Sequence, residues 1–271
     1  RIQAYVAVKA GSKTDPATNT GLAHYLEHML FKGTDKYGSL DWSKEKPELD
    51  KIDALYEQYN KTKDETQRKA ISGVASKYSI ANEYDKMLSG MGAQGTNAWT
   101  SFEETVYTDD VPSSSIDKYL AVQAERFRNP ILRIFHTELE AVYEEKNRTL
   151  DNDGRQVFET LFSNLFKNHN YGLQTTIGTV EHLKNPSLVQ IRKYFSTYYV
   201  PNNMGIVMSG DFNPDEVIAK VDKDFSYMQN KPVPKYTFNP EDAIKAPIVK
   251  EIVGPDAESV TMGFRLPGNK D

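Results

Sequence analysis

His24-Tyr25-Leu26-Glu27-His28 sits in a segment, 21–32, whose apolar spacing predicts a helix, with Thr20 as its N-cap and Gly33 as its stop. With His24 at 0° on a helical wheel, His28 falls at about 40°, Glu27 at about 300° and Phe31 at about 340°. Leu22, Leu26, Met29 and Leu30 fall at about 140–240°, on the opposite face. The helix therefore has an apolar back that docks on a core and a front that carries chemistry. Two imidazoles one turn apart can both reach a metal at about 2.0–2.1 Å, and zinc favours such ligands. Glu27, at the edge of the same face, is placed to hold a zinc-bound water rather than the metal. Five His and 19 Glu among 271 residues make His-x-x-Glu-His a chance event about 0.006 times per chain. The bland alternative is a solvated polar face, and the plainly apolar opposite face argues against it.

The rest of the composition narrows the class. A length of 271 residues suits one large domain, or one domain and part of another. The net charge of −5 argues against a nucleic-acid binder that works by bulk charge. With 38% hydrophobic and 11% aromatic residues, the chain is not of disordered type. The absence of Cys excludes disulfides, thiolate zinc fingers, iron–sulfur clusters and a cysteine nucleophile, and leaves the compartment open. No apolar run reaches the roughly 18 residues of a membrane span. The sequence opens directly on a strand-like alternation, Ile2 to Val8, without an initiator Met, and 258–266 also reads as a strand. It therefore reads as a piece of a longer protein.

Along the chain, strand patterns at 2–9, 96–101 and 104–109 mix with helical ones. Helices are expected at 48–59, 64–78, 114–128, 136–150, 154–167, 187–199 and from Asn213 to about 225. Gly205 to Ser209 reads as a buried strand. The fold class is α+β, with helices packed on one face of a mainly antiparallel sheet. Residues 1–228 form the main domain. Residues 229–247, with four Pro among Lys and Asn, read as a linker. Residues 248–271 then read as the first strand region of a second domain.

A catalytic zinc needs a third protein ligand and one open position. Candidates are His136, His169, His182 or a carboxylate. On the acidic helix 137–145, Glu138 and Glu145 differ by only about 20° in angle and share a side with Ala141 and Val142. Glu140 and Glu144 point elsewhere, into water. Spacing alone leaves Glu145 open. His136 reads as a solvent-contacting residue near a helix start, and His169 and His182 as ordinary polar residues beside a loop. The Phe and Leu stripe at 157–166 is core. Nothing supports nucleotide, flavin or haem.

Beyond the motif, the whole chain resembles the M16 metallopeptidase family (pitrilysin, insulysin, mitochondrial processing peptidase). The resemblance is carried by 21–34 around the motif, by Asn82-Glu-Tyr, Gly95-Thr-Asn-Ala-Trp-Thr-Ser101 and Thr105-Val-Tyr107. It continues through Glu138-Leu-Glu-Ala-Val-Tyr-Glu-Glu145 and Tyr199 to Asp211. His-x-x-Glu-His is the inverted zinc motif of inverzincins. The resemblance implies one zinc held by His24, His28 and Glu145, Glu27 as general base, and Glu138 as a carboxylate that steadies the site. It further implies that Asn97, Ala98 and Trp99 lie on an edge strand where substrate pairs as an added β-strand.

The implied activity is a zinc-dependent endopeptidase acting on short or unfolded peptides. The alternative is a non-catalytic subunit or scaffold that binds peptides or a partner chain; zinc carriage without hydrolysis and ester hydrolysis are weaker rivals. Two features depart from the family pattern. A stretch from about 41 to 78 reads as an inserted helical hairpin. The family's later half, which supplies an Arg and a Tyr, does not follow, so a second M16-like half or partner chain is implied. Bacterial envelope proteins resembling this family carry such insertions, which points to the periplasm.

Overall fold

A computed structural model describes residues 1–62, 77–184 and 187–268. Its frame is an antiparallel sheet of β1 (Ile2–Val8), β2 (Gln94–Thr100), β3 (Thr105–Val111) and β4 (Met204–Gly210), in the order β2-β3-β1-β4. The alternation of β1 sets its faces: Ile2, Ala4, Val6 and Val8 are buried while the residues between them are half-buried. Register fixes the rest, with Val6 opposite Tyr107 and Ile206, and Tyr107 opposite Ala98.

Two apolar clusters cover that face. One joins Val6, Val8 and Tyr107 to α1 (Leu22–Met29), α5 (Phe135–Leu150) and α9 (Leu188–Tyr198) through Leu26, Met29, Val142 and Ile191. The other joins Ile2, Ala4 and Val111 to α3 (Glu83–Gly90), α4 (Ile116–Arg128) and α10 (Pro214–Asp224) through Tyr84, Leu120 and Val217. Burying one such side chain contributes about 1.5–3 kcal/mol, so α1 is held chiefly by its apolar back. The fold is α+β with helices on one face, as its residue pattern implies. Remaining helices are α2 (Trp42–Thr62), α6 (Asp153–Leu165) and the short α7 (Asn170–Leu173) and α8 (Val180–Lys184). Among the described residues no helix is long and apolar enough to cross a membrane.

The start of α1 differs from expectation. Thr20 is not its cap: the Thr20 hydroxyl meets His182 Nδ1 at 2.8 Å and accepts from the Thr179 N–H at 3.1 Å. Gly21 takes the cap position with φ 82°, and a Cβ there would stand 2.4 Å from the Ile177 carbonyl oxygen, so only glycine fits. The open N–H groups of Gly21, Leu22 and Ala23 donate to the buried carboxyl of Asp15 at 2.8, 3.1 and 2.9 Å.

Other differences are smaller. β4 is an edge strand, and Val207 on its open face is 60% exposed, because only one side of the sheet carries helices. The expected helix 64–78 falls largely on residues outside those described, while α2 supplies the first arm of the 41–78 stretch. Residues 229–268 carry neither helix nor strand. The stretch 258–266 alternates as a strand does, yet a ladder needs a partner, and here Val260, Met262, Phe264 and Leu266 are exposed. The segment runs along α6, with Arg265 donating to the Leu165 carbonyl and Glu241 accepting from the N–H groups of 167–169.

One buried ion pair ties α2 to the loop after α1. Arg133, fully buried, donates to Glu45 at 2.7 and 2.8 Å and to the carbonyls of Lys32, Thr34 and Tyr37. Removing one partner leaves the other charge buried alone. Glu45→Ala is therefore expected to cost about 3–5 kcal/mol. Asp50→Ala, which breaks the exposed Lys46–Asp50 pair on the same helix, is expected to cost less than about 1 kcal/mol. Urea denaturation of both variants checks the contrast, and equal losses would mean that Arg133 does not depend on Glu45.

Candidate metal centre

With Leu22, Leu26 and Met29 turned into the core, α1 presents His24, Glu27 and His28 on its other side. Facing them is α5, whose Val142 and Leu139 are buried beside α1 and whose Glu145 is half-exposed. His24 Nε2 lies 3.7 Å from one Glu145 oxygen, and His28 Nε2 lies 3.7 Å from the other. The two imidazoles meet edge to face, with centroids 4.8 Å apart. One donor atom from each of His24, His28 and Glu145 lies within 4.8 Å of the others, and among the described residues no other trio of His, Asp or Glu is so arranged.

This donor set fits a zinc ion. The three groups converge without bonding one another, since 3.7 Å is beyond hydrogen-bond distance. His24 Nδ1 is buried with no hydrogen-bond partner. Two donors about 2.0–2.1 Å from one tetrahedral metal stand about 3.4 Å apart; the two His–Glu145 spacings of 3.7 Å lie close to that, and no pair of the trio exceeds 4.8 Å.

The electrostatics suit the same role. Burial, helped by His28 and Arg155, pulls the His24 imidazole down to about 3, so it is neutral with a free lone pair. Burial also opposes charge on His28, but the approach of Glu138 and the charges of Glu27 and Glu145 outweigh it and raise its pKa. Glu138 Oε1 lies 3.9 Å from His28 Nδ1, and its Oε2 pairs with the Lys32 ammonium. Burial works against the charge of Glu138 as well, yet His28 and Lys32 hold its carboxyl below the usual range.

Glu27 stands beside the trio and is not part of it. Burial raises its carboxyl against the pull of a hydrogen bond from Thr100 Oγ1 to Oε2, 2.7 Å. Thr100 is the last residue of β2, so the sheet edge and α1 meet at this carboxylate. Asn97, Ala98 and Trp99 lie along β2, whose outer side has no partner strand among the described residues. Trp99, 40% exposed, meets Tyr5 on the open face, while Ala98 faces the core.

Of the other candidates, His169 and His182 lie elsewhere. His136 is the second residue of α5. His169 caps α7 through its Nδ1 and packs on Tyr171, Tyr236 and Phe238. His182 bonds Thr20. The sequence reading missed Asp15, Thr100 and Lys32. Asp15 sits too far before α1 for any capping pattern, and Thr100 reaches Glu27 only through the sheet. Lys32 did carry a signal, its i+4 spacing from His28.

Comparison with known proteins gives the following. The model of the insulinase family, peptidase family M16, matches residues 2–52 and 67–179. That of the M16 inactive domain matches 187–271. The zinc protease PqqE of Helicobacter pylori is 26% identical over 99% of this chain and 52% of its own. A crystal structure of a Helicobacter pylori protease superposes with TM-score 0.66 at 26% identity, over 86% of this chain and 48% of that one. The first half of the periplasmic protease PqqL from Escherichia coli superposes with TM-score 0.63 at 19% identity, over 87% and 43%. The chain spans about half, or less, of the length of the curated relatives it matches.

In the neutral range protons compete with a metal for His28 alone, because His24 gains a second proton, and so loses its lone pair, only near 3. The affinity of the chain for zinc is expected to fall about tenfold per pH unit below the raised His28 pKa. Calorimetric titration between about pH 8 and pH 5 checks this, and a steeper, two-proton slope would mean that both imidazoles titrate there.

Proposed function

The chain belongs to the insulinase family of peptidases, family M16, and from that premise we propose that it is the zinc-holding part of an endopeptidase that cleaves short or unfolded peptides. The observation that carries the reading is the convergence of His24, His28 and Glu145 on one point, with Glu27 beside them and outside the trio. These three would hold zinc and leave a coordination position open. Bound there, zinc supplies Lewis-acid polarisation of a carbonyl and makes water easier to deprotonate.

The chain's own residues do the rest. Thr100 holds Glu27 Oε2, which leaves Oε1 to take a proton from the attacking water. The water oxygen bonds to the scissile carbonyl carbon, the C–N bond breaks, and Glu27 returns the proton to the leaving amine. A carboxyl raised by burial suits both halves of that exchange. The outer edge of β2 at Asn97, Ala98 and Trp99 would take the peptide as an added strand, whose main-chain bonds accept many sequences. Glu138 would steady the His28 ring.

The domain organisation belongs to the same proposal. Residues 1–228 would form the zinc-binding domain with its insertion at about 41–78, 229–247 the linker, and 248–271 the start of a second domain. The short span relative to the relatives supports a second M16-like half, or partner chain, that completes the reaction chamber. A periplasmic location is also proposed, on the insertion and on the bacterial source of the PqqE relative.

Glu27→Gln, made in protein that includes the second half, is expected to keep zinc and lose about 10²–10⁴-fold in peptide cleavage. Metal analysis and a quenched-peptide assay check it. Undiminished cleavage would overturn the assignment of Glu27 and favour a scaffold role beside some other active chain.

A further inference from the structure

We propose that Lys32 is a positioning residue for metal binding, clamping Glu138 so that its carboxylate faces His28 Nδ1, favours the N–H there and leaves Nε2 free toward Glu145. The inference rests on reading His24, His28 and Glu145 as a zinc site. Lys32 follows α1 in a turn, its N–H bonded to the Met29 carbonyl at 3.1 Å. Its own carbonyl accepts from Arg133 Nη1 at 2.9 Å. Arg133 is fully buried and anchored on Glu45 of α2, so the backbone of Lys32 is fixed from the α2 side.

From that fixed point the ammonium reaches Glu138 Oε2, with the Lys32 and Glu138 side chains only 14% and 12% exposed. Glu138 then has one oxygen on Lys32 and the other, Oε1, facing His28 Nδ1 at 3.9 Å. A neutral imidazole carries a single N–H. A carboxylate fixed on the Nδ1 side draws that N–H to itself and leaves the lone pair on Nε2, the nitrogen that faces Glu145. Freed from Lys32, Glu138 can turn by rotation about its side-chain bonds, and the tautomer is no longer selected. Through Arg133 and Glu45, the first helix of the 41–78 stretch thus reaches the metal site by a chain of fixed contacts.

The test compares wild type, Lys32→Met and Lys32→Arg by zinc titration, thermal melting and long-range ¹⁵N–¹H spectra of the His28 ring, with Lys32→Gln in reserve should the Met variant not fold. Lys32→Met is expected to fold but to melt below wild type, since it leaves the nearly buried Glu138 without its cation, to bind zinc about 10–100-fold more weakly, and to shift metal-free His28 from the Nδ1–H toward the Nε2–H tautomer. Lys32→Arg, which keeps a cation on Glu138, is expected to restore the affinity and the tautomer. Wild-type zinc affinity in Lys32→Met, or weakened binding with an unchanged His28 tautomer, would overturn the proposal. If wild type itself took up no zinc, the site reading would fall, and the tautomer comparison in metal-free protein would still decide the role of Lys32.

Discussion

The carboxyl of Asp15 accepts the three N–H bonds that begin α1, and the geometry of the site depends on it. A short helix cannot hold its own first turn, because its leading N–H groups lack intrahelical partners. Here the partner comes from outside the helix and is itself buried. Gly21 completes the entry by adopting a conformation closed to other residues at that close approach. With its start fixed and its apolar back in the core, α1 has one rotation left to it. That rotation sends His24, Glu27 and His28 toward α5 and β2.

Three further contacts then define what the site can do. Val142 and Leu139 pack α5 against α1, which sets Glu145 over both imidazoles. The Thr100 hydroxyl brings the end of the edge strand to Glu27. A peptide added to that edge would therefore run past the carboxylate proposed as base, so one strand end would serve both strand pairing and proton transfer. Lys32 and Arg133 fasten the far end of α1 to α5 and α2.

Local pattern revealed the helix and its chemical face, because helical period, apolar back and metal-ligand spacing coincide within residues 22–31. It revealed β2 and β3 for a similar reason, since alternation and β-rich composition agree there. It gave no choice of third ligand. Glu145 is one of several acidic residues on α5, and what distinguishes it is the packing of two helices far apart in sequence; the family resemblance supplied that information. Asp15, Thr100 and the Arg133–Glu45 pair were invisible because each acts across the tertiary structure. Thr20 was misread as a cap since its spacing was right but its hydroxyl had a better partner in His182. The helix Glu83–Gly90 was missed because its eight residues are mostly polar and run into a cluster of glycines.

The most direct measurement is anomalous diffraction, on both sides of the zinc absorption edge, from crystals of the chain grown with zinc. The expected result is one peak about 2.0–2.3 Å from His24 Nε2, His28 Nε2 and a Glu145 oxygen, with Glu27 outside that shell. A zinc-soaked crystal of folded protein with no peak at that point, or a peak bonded to Glu27 in place of Glu145, would contradict the site on which the proposed function stands.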